Sequence, residues 1–132
     1  MTRSIRWRSV LLGFAVAAIL AIGLGLLGGW TGAALNPGFG PAMQFVSMLV
    51  GGFVAGRSAG RLGLMQGLAV AVIFILVGVS YTAWFEMDLV GRYGPQVLRP
   101  MDSTSMILTD LVHLIGGSMG GWLAETTRTS AE

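Results

Sequence analysis

From Ser9 to Gly56 the chain contains no Asp, Glu, Lys or Arg. A helix needs about 20 apolar residues to cross a bilayer, so this stretch is long enough for two crossings. The whole chain offers little material for a water-soluble surface, since 11% of its 132 residues are charged and soluble proteins average about 25%. The charge-free stretch therefore predicts an integral membrane protein that begins with two membrane-spanning helices.

The apolar runs after Gly56 extend this prediction to four transmembrane helices in one domain covering residues 1–132. The segment from Asn36 to Pro41 separates the first two runs, because its two prolines favour a turn. A polar segment from Glu86 to Ser105 separates the last two. The predicted fold is therefore all-α, an integral membrane four-helix bundle. Its predicted helices cover residues 10–30, 42–56, 62–85 and 106–123.

The basic residues predict the orientation in the membrane. All eight are arginines, and only Arg92 and Arg99 fall in the loops after helices 1 and 3. The other six lie at the two termini or between helices 2 and 3, which predicts that both termini are cytoplasmic. The first apolar run, Val10 to Trp30, exceeds the roughly 7–15 residues of a signal-peptide core, which favours a retained anchor. Trp residues, which prefer the membrane interface, fall at predicted helix ends: Trp7, Trp30, Trp84 and Trp122.

The two halves of the chain resemble each other. Helix 1 aligns with helix 3 without gaps, which places Gly13 on Gly67 and Trp30 on Trp84. Helix 2 aligns with helix 4, where Gly51-Gly52 matches Gly116-Gly117. Either a duplication or the restricted apolar composition explains these matches. A duplication predicts two tandem hairpins related by a pseudo-two-fold axis along the membrane normal.

Small residues recur at every fourth position in all four predicted helices. In lipid, such stripes let helix backbones approach closely, and the close approach drives helix association. One interpretation is packing within the bundle, and the other is that a stripe binds a second copy or another protein. Helices 2 and 4 carry two adjacent stripes each, so one of the two is a candidate for a partner. The predicted packing glycines are Gly13, Gly25, Gly29, Gly52, Gly56, Gly63, Gly67, Gly116, Gly117, Gly120 and Gly121.

Two ionisable residues interrupt the last apolar run. Asp110 and His113 are three residues apart, so they share one helix face. Ionisable groups inside a span normally face the bundle interior or a wet cavity, and they are functional candidates for a proton or cation site. The alternative is that Asp110 lies at the interface near the helix start and His113 hydrogen-bonds to a neighbouring helix. Gln44 and Gln66 are interpreted as interhelical hydrogen-bonding residues.

Charged residues at the helix ends have simpler interpretations. Arg57 and Arg61 are predicted on the inner face, where they set the topology and extend toward the headgroups, although they could also bind anionic lipid or a partner's acidic surface. Glu86 and Asp88, at the predicted outer end of helix 3, are interpreted as solvated.

The sequence lacks the residues and motifs that several classes of function require. The chain has no Cys and one His, which exclude disulfides, thiolate metal sites and a multi-histidine zinc site. There is no phosphate-binding loop, no Gly-x-Ser-x-Gly elbow and no basic patch for nucleic acid. We therefore expect no enzymatic activity, no catalytic residue, no cofactor and no bound metal.

Two glycine-rich motifs resemble those of a known family. The run Gly51-Gly52-Phe53 leads through Arg57 and Arg61 to Gly63-x-x-x-Gly67-Leu68, and a second Gly-Gly pair lies at Gly116-Gly117. Together they resemble the YrzE-like family of small, uncharacterised bacterial four-pass membrane proteins. The resemblance covers essentially the whole chain. It implies a four-helix bundle in a bacterial plasma membrane and implies no activity, and Asp110 and His113 are not part of the family pattern.

Two functions follow as hypotheses. The first is a structural or accessory subunit that packs through its glycine stripes against a membrane complex. The second is a small oligomeric transporter or channel with Asp110 and His113 in a proton or cation path. The expected partners are the lipid bilayer and either a second copy of the chain or another membrane protein.

Overall fold

The computed structural model describes residues 4–98, 100 and 102–130. Arg3 and Arg99, two of the arginines used above, lie outside the described residues. Two short 3₁₀ turns, Ala33–Leu35 and Pro95–Val97, lie in the connections, and the described part of the chain contains no β-strand. The prediction of an all-α four-helix bundle is confirmed. The four helices are α1 (Trp7–Thr31), α2 (Phe39–Ala59), α3 (Gly63–Tyr93) and α4 (Ser103–Thr129).

Three of the helices are long and apolar enough to cross a membrane, namely α1, α2 and α3. This finding agrees with a membrane protein. α4 is long, with 27 residues, but its sequence contains Asp110, His113 and several hydroxyl residues. The crossing of α4 stays a prediction.

The four helices are longer than was predicted from the turn-forming residues between them. α2 begins at Phe39 because Pro41 falls in its first turn, where a proline loses no helical hydrogen bond. α3 continues to Tyr93, and within the predicted loop its last turns carry an ion pair between Arg92 and Asp88 at 3.0 Å. Leu62, predicted as the start of helix 3, instead lies outside α3 with a positive φ of 53°.

α4 begins earlier than predicted because Asp102 caps it. The Asp102 carboxylate accepts hydrogen bonds from the Thr104 amide at 3.1 Å and the Ser105 hydroxyl at 2.5 Å. The Ser105 and Thr104 hydrogen bonds stabilise the ionised carboxylate and lower the pKa of Asp102.

The helices form a diamond in cross-section. α2 packs along α4, α1 packs on α2, α3 packs on α4, α1 contacts α3, and α2 also touches α3 across the short diagonal. Within the described residues, α1 and α4 do not touch. Consecutive helices are antiparallel. We call the end that holds Arg6, Arg57, Arg61 and Arg128 the basic end, and the opposite end, with the connections between α1 and α2 and between α3 and α4, the open end.

Glycine contacts hold the half of the bundle near the basic end together. A Cβ on Gly13 of α1 would lie 2.5 Å from the Gly51 carbonyl oxygen of α2. A Cβ on Gly117 of α4 would lie 2.6 Å from the Gly67 carbonyl oxygen of α3. Such distances leave no room for a side chain, so the helices meet backbone to backbone.

The two adjacent stripes on α2 and α4 are both used inside the chain. On α2, Gly51 faces α1 while Gly52 faces Gly117 of α4. On α4, Gly116 packs against Phe45 of α2, and Gly121 packs against Gly63 of α3. The idea that one of these stripes is left over for a partner was therefore wrong. Packing within the bundle occupies all of them.

The half of the bundle near the open end is less closely packed. Gly29, predicted as a packing residue, has no other atom within 4 Å of where its Cβ would be, and Gly25 meets only the Met43 sulfur at 3.8 Å. The side chains of Leu26 and Trp30 are 71% and 91% exposed within the chain. Toward the open end the backbone contacts between glycines thus give way to side-chain contacts, such as that of Phe39 on Gly28.

Candidate functional site

A cleft opens between α3 and α4 where the two helices separate. They are in backbone contact at Gly67 and Gly117, but beyond these residues their facing positions carry larger side chains. The space left between them is a cavity of about 400 Å³. On α3 the lining runs from Phe74 to Glu86, and this length of helix corresponds to a depth of about 18 Å at 1.5 Å per residue.

The lining combines apolar walls with a few polar groups. Gln44 of α2 forms the back of the cleft, and the other residues come from facing sides of α3 and α4. The pattern matches small-molecule sites, which are mostly apolar with a few placed polar groups. The lining residues are Gln44, Phe74, Ile75, Gly78, Val79, Thr82, Ala83, Glu86, Ser105, Met106, Thr109, Asp110 and His113.

His113 lies at the deep end of the cleft. Its side chain is 5% exposed, and its ring packs on that of Phe74 with 5.2 Å between centroids. Neither ring nitrogen makes a hydrogen bond of good geometry among the described residues, and the Thr109 carbonyl group is the nearest backbone acceptor. Leaving a buried polar group unpaired costs about 1–3 kcal/mol, and both nitrogens lie beneath the surface of the cleft, so a ligand binds the imidazole only when the ring turns toward it. The predicted hydrogen bond from His113 to a neighbouring helix is absent from the described chain.

Asp110 lies one helical turn nearer the open end than His113. It is half-buried and lines the cleft. Since α3 and α4 are antiparallel and Phe74 meets His113, Asp110 is level with Gly78 of α3. Gly78 has no other atom within 4 Å of its Cβ position. Gly78 and Asp110 line the same cavity, so the missing side chain of Gly78 leaves open space within the cleft that Asp110 borders.

Several polar residues that the sequence did not assign to a site also line the cleft, among them Thr82 and Glu86. Glu86 stands at the mouth, on the same face of α3 as Gly78 and Thr82. The spacing in the sequence could have predicted this shared face, because the three residues recur at every fourth position of the helix. Glu86 and Asp88 were both interpreted as solvated. Asp88 lies outside the cleft, where it forms an ion pair with Arg92.

The hydroxyl groups near Asp110 are occupied by bonds within α4. Thr109 donates to the Ser105 carbonyl oxygen at 2.8 Å, and Ser105 donates to Asp102 at 2.5 Å. They can still accept a hydrogen bond from a ligand, but they do not hold Asp110 in place. The carboxylate of Asp110 is therefore the strongest free acceptor in the deeper part of the cleft.

The electrostatics of the cleft favour a positive charge. Two acidic residues, Glu86 and Asp110, line it, and none of its lining residues is basic. Charges act more strongly in such a low-dielectric surrounding than in water. The described residues contain no group of three or more His, Cys, Asp or Glu side chains placed to hold a metal ion. The acidic lining itself suits a proton or a monovalent cation.

Gln66 is separate from the cleft and lies in the closely packed half. Its side chain is fully buried, and neither amide atom has a hydrogen-bond partner within the described chain. The predicted interhelical hydrogen bond is therefore missing at Gln66. The other glutamine, Gln44, lines the cleft.

The basic end is closed by contacts between α4 and the turn that connects α2 to α3. Glu125 accepts a hydrogen bond from the Gly63 amide at 3.1 Å, and Arg128 donates to the Gly60 carbonyl oxygen. Each charge matches the helix terminus that it meets, negative at the start of α3 and positive at the end of α2. Arg57 lies over the Phe53 ring, 6.0 Å from its centroid, and Arg61 is exposed.

Comparison with protein-family models, with curated proteins and with solved structures finds no match to this chain. The resemblance to the YrzE-like family therefore stays a prediction. The class that the fold defines is a helical bundle with three candidate membrane spans, and its functional candidate is the acidic cleft between α3 and α4.

Proposed function

We propose that this chain is a small membrane transporter whose cleft takes up a cation from the open end. The observation that carries the proposal is that one cavity is lined by Asp110, Glu86 and an unpaired His113, with no arginine or lysine in its lining. Ionisable groups inside a membrane bundle mark ion and substrate paths by default. Asp110 supplies the counter-charge, and His113 provides a polar group at the deep end.

The proposal includes a membrane crossing by α4. α4 is parallel to α2, and glycines of the two helices meet at Gly52 and Gly117 and again at Gly56 and Gly121. A partner packed this closely to a membrane-spanning helix lies at the same depth in the bilayer. Four crossings place both termini on the same side, and the arginines favour the cytoplasmic side. The open end then faces outward, in a plasma membrane if the family resemblance holds.

The shape of the bundle favours a transporter over a channel. The cleft ends at His113, and beyond it the helices are in glycine contact down to the basic end. A channel needs a continuous path, whereas a transporter exposes its site to one side at a time. The glycine contact between α3 and α4 at Gly67 and Gly117 is the natural pivot for a change of side.

The test is cation uptake into liposomes that contain the purified protein. A negative-inside potential would drive the uptake of protons, rubidium or 4-phenylbutylammonium, each measured separately. We expect uptake of at least one of them above protein-free liposomes, and its loss in Asp110→Asn. Asp88→Asn is the matched control, because Asp88 lies outside the cleft in an ion pair with Arg92, and it should transport normally. Uptake equal to that of empty liposomes for all three cations would refute the proposal.

An accessory role remains the second candidate, and α1 is the observation that favours it. The open-end half of α1 exposes Leu26 and Trp30, and at Gly23 and Gly29 beside them no described atom outside the helix backbone lies within 4 Å of the Cβ position. A partner helix could pack there. Native mass spectrometry of protein extracted gently from its own membrane tests this role, and only a stoichiometric partner that Gly29→Leu removes would support it. Gly52→Leu or Gly117→Leu would disturb the bundle itself.

A further inference from the structure

We infer that the cation taken by the cleft is a protonated amine with an apolar body, and not an inorganic ion. This inference rests on the proposed function, because it names the chemical class of the cation that the cleft would bind. Three features carry it: the apolar walls, the spacing of the two acids, and the unpaired imidazole beside Asp110.

The walls of the cleft are unsuited to a small inorganic cation. Such an ion exchanges its hydration shell for several oxygen ligands, and the walls offer mainly carbon. Ile75, Val79 and Met106 are among the side chains that line the space. These surfaces favour an apolar ligand body, because burying it removes apolar area from water. The volume of about 400 Å³ suits an organic molecule of moderate size.

The two acids lie at different depths and cannot share one ion. Asp110 is level with Gly78, and Glu86 is eight residues further along α3, a distance of about 12 Å along the helix. One carboxylate therefore meets the charge in the deep position, and the other stands at the mouth. The pair suits a ligand with one positive charge, which Glu86 attracts and Asp110 binds.

His113 specifies an N–H donor on that charge. Asp110 and His113 occupy neighbouring positions on one face of α4, three residues apart. A neutral imidazole has one nitrogen that accepts a hydrogen bond, and His113 has no partner for it in the described chain. Both ring nitrogens lie beneath the surface of the cleft, so an ammonium group bound to Asp110 donates to His113 once the ring turns toward it. Its apolar body then extends along α3 toward the mouth, through the space that Gly78 leaves open.

The test measures the binding of three probes with the same phenylbutyl body to the detergent-purified full-length protein. Binding is followed by calorimetry, and the signal from protein-free micelles is subtracted. The probes are 4-phenylbutylammonium, its trimethylated quaternary form, and the neutral 4-phenylbutanol. We expect the primary ammonium to bind most tightly and the alcohol least. Asp110→Asn should weaken ammonium binding roughly 10- to 100-fold, the factor for one lost charge-assisted hydrogen bond. His113→Phe should weaken the primary ammonium and leave the quaternary form unchanged.

Gly78→Leu tests the placement of the ligand without touching a polar group. Its side chain would fill open space within the cleft that Asp110 borders, and we expect it to abolish binding. Gly29→Leu is the matched control, since both glycines have open space at the Cβ position and only Gly78 lines the cleft. Equal binding by Gly78→Leu and Gly29→Leu would overturn the assigned position.

Other outcomes separate this inference from the proposed function. Binding of rubidium that depends on Asp110, without binding of the ammonium probe, would overturn the amine and leave the cation transporter standing. Equal affinity for the ammonium and the alcohol would overturn the requirement for charge, and with it both proposals. Binding of neither the ammonium probe nor rubidium would overturn the amine, and the proposed function would then be decided by the uptake of protons.

Discussion

Two buried polar side chains, His113 and Gln66, have no hydrogen-bond partner among the described residues, yet their surroundings differ. His113 borders an open cleft, where a ligand can satisfy its ring. Gln66 is fully buried in the half of the bundle that glycine contacts close. An unpaired group beside a cavity indicates binding, whereas one in closed packing only weakens the fold.

Replacing Gln66 tests this distinction at the residue scale. Gln66→Leu keeps a similar volume and removes an amide that is buried without partners. We expect it to stabilise the protein by roughly 1–3 kcal/mol, the cost of an unsatisfied buried polar group, and to leave uptake unchanged. Thermal unfolding in detergent, followed by circular dichroism, measures the effect. A clear loss of stability would mean that Gln66 has a partner, such as a buried water molecule.

At the scale of elements, the apolar runs predicted the number and order of the helices, but the turn residues misplaced their ends. The helix count was predictable because each run is long, and only helices satisfy their backbone within lipid. The ends were not, because Pro41 fits a first helical turn and the polar residues from Glu86 to Tyr93 continue α3 as readily as they would form a loop. Polar residues that follow a membrane-spanning segment can therefore continue the same helix.

The contact between α3 and α4 is the element-scale feature on which the cleft depends. A Cβ on Gly117 would lie 2.6 Å from the Gly67 carbonyl oxygen and 2.9 Å from the Ala71 Cβ. We expect Gly117→Ala to destabilise the bundle by about 1–3 kcal/mol, as overpacking does. Gly29→Ala, at an open position, should be neutral or slightly stabilising because alanine favours the helix. Unfolding of both variants in the same detergent measures the difference, and equal stabilities would contradict the packing described here.

At the scale of the whole molecule, the bundle is closed at the basic end and separates at the open end. The sequence indicated Asp110 and His113 because they interrupt an apolar run. It did not indicate Glu86, because a polar residue at a helix end is normally solvated. Nor did it indicate the cleft, because the separation of α3 and α4 depends on how side chains of both helices meet, and no single run of residues encodes that. The cleft joins residues from α2, α3 and α4 into one site.

Water and cations are expected to reach the cleft from the open end. Because the chain has no native cysteine, single cysteines can test this access. Single cysteines at Thr82 and Thr109 would line the cleft, whereas one at Ser80 would lie on another face of α3, outside it. In intact membranes, each would be treated with membrane-impermeant thiol reagents of either charge, which react only with hydrated thiolates. We expect Thr82→Cys and Thr109→Cys to react, faster with the cationic reagent, and Ser80→Cys not to react. Cleft cysteines no more reactive than Ser80→Cys, or indifferent to the charge of the reagent, would contradict it.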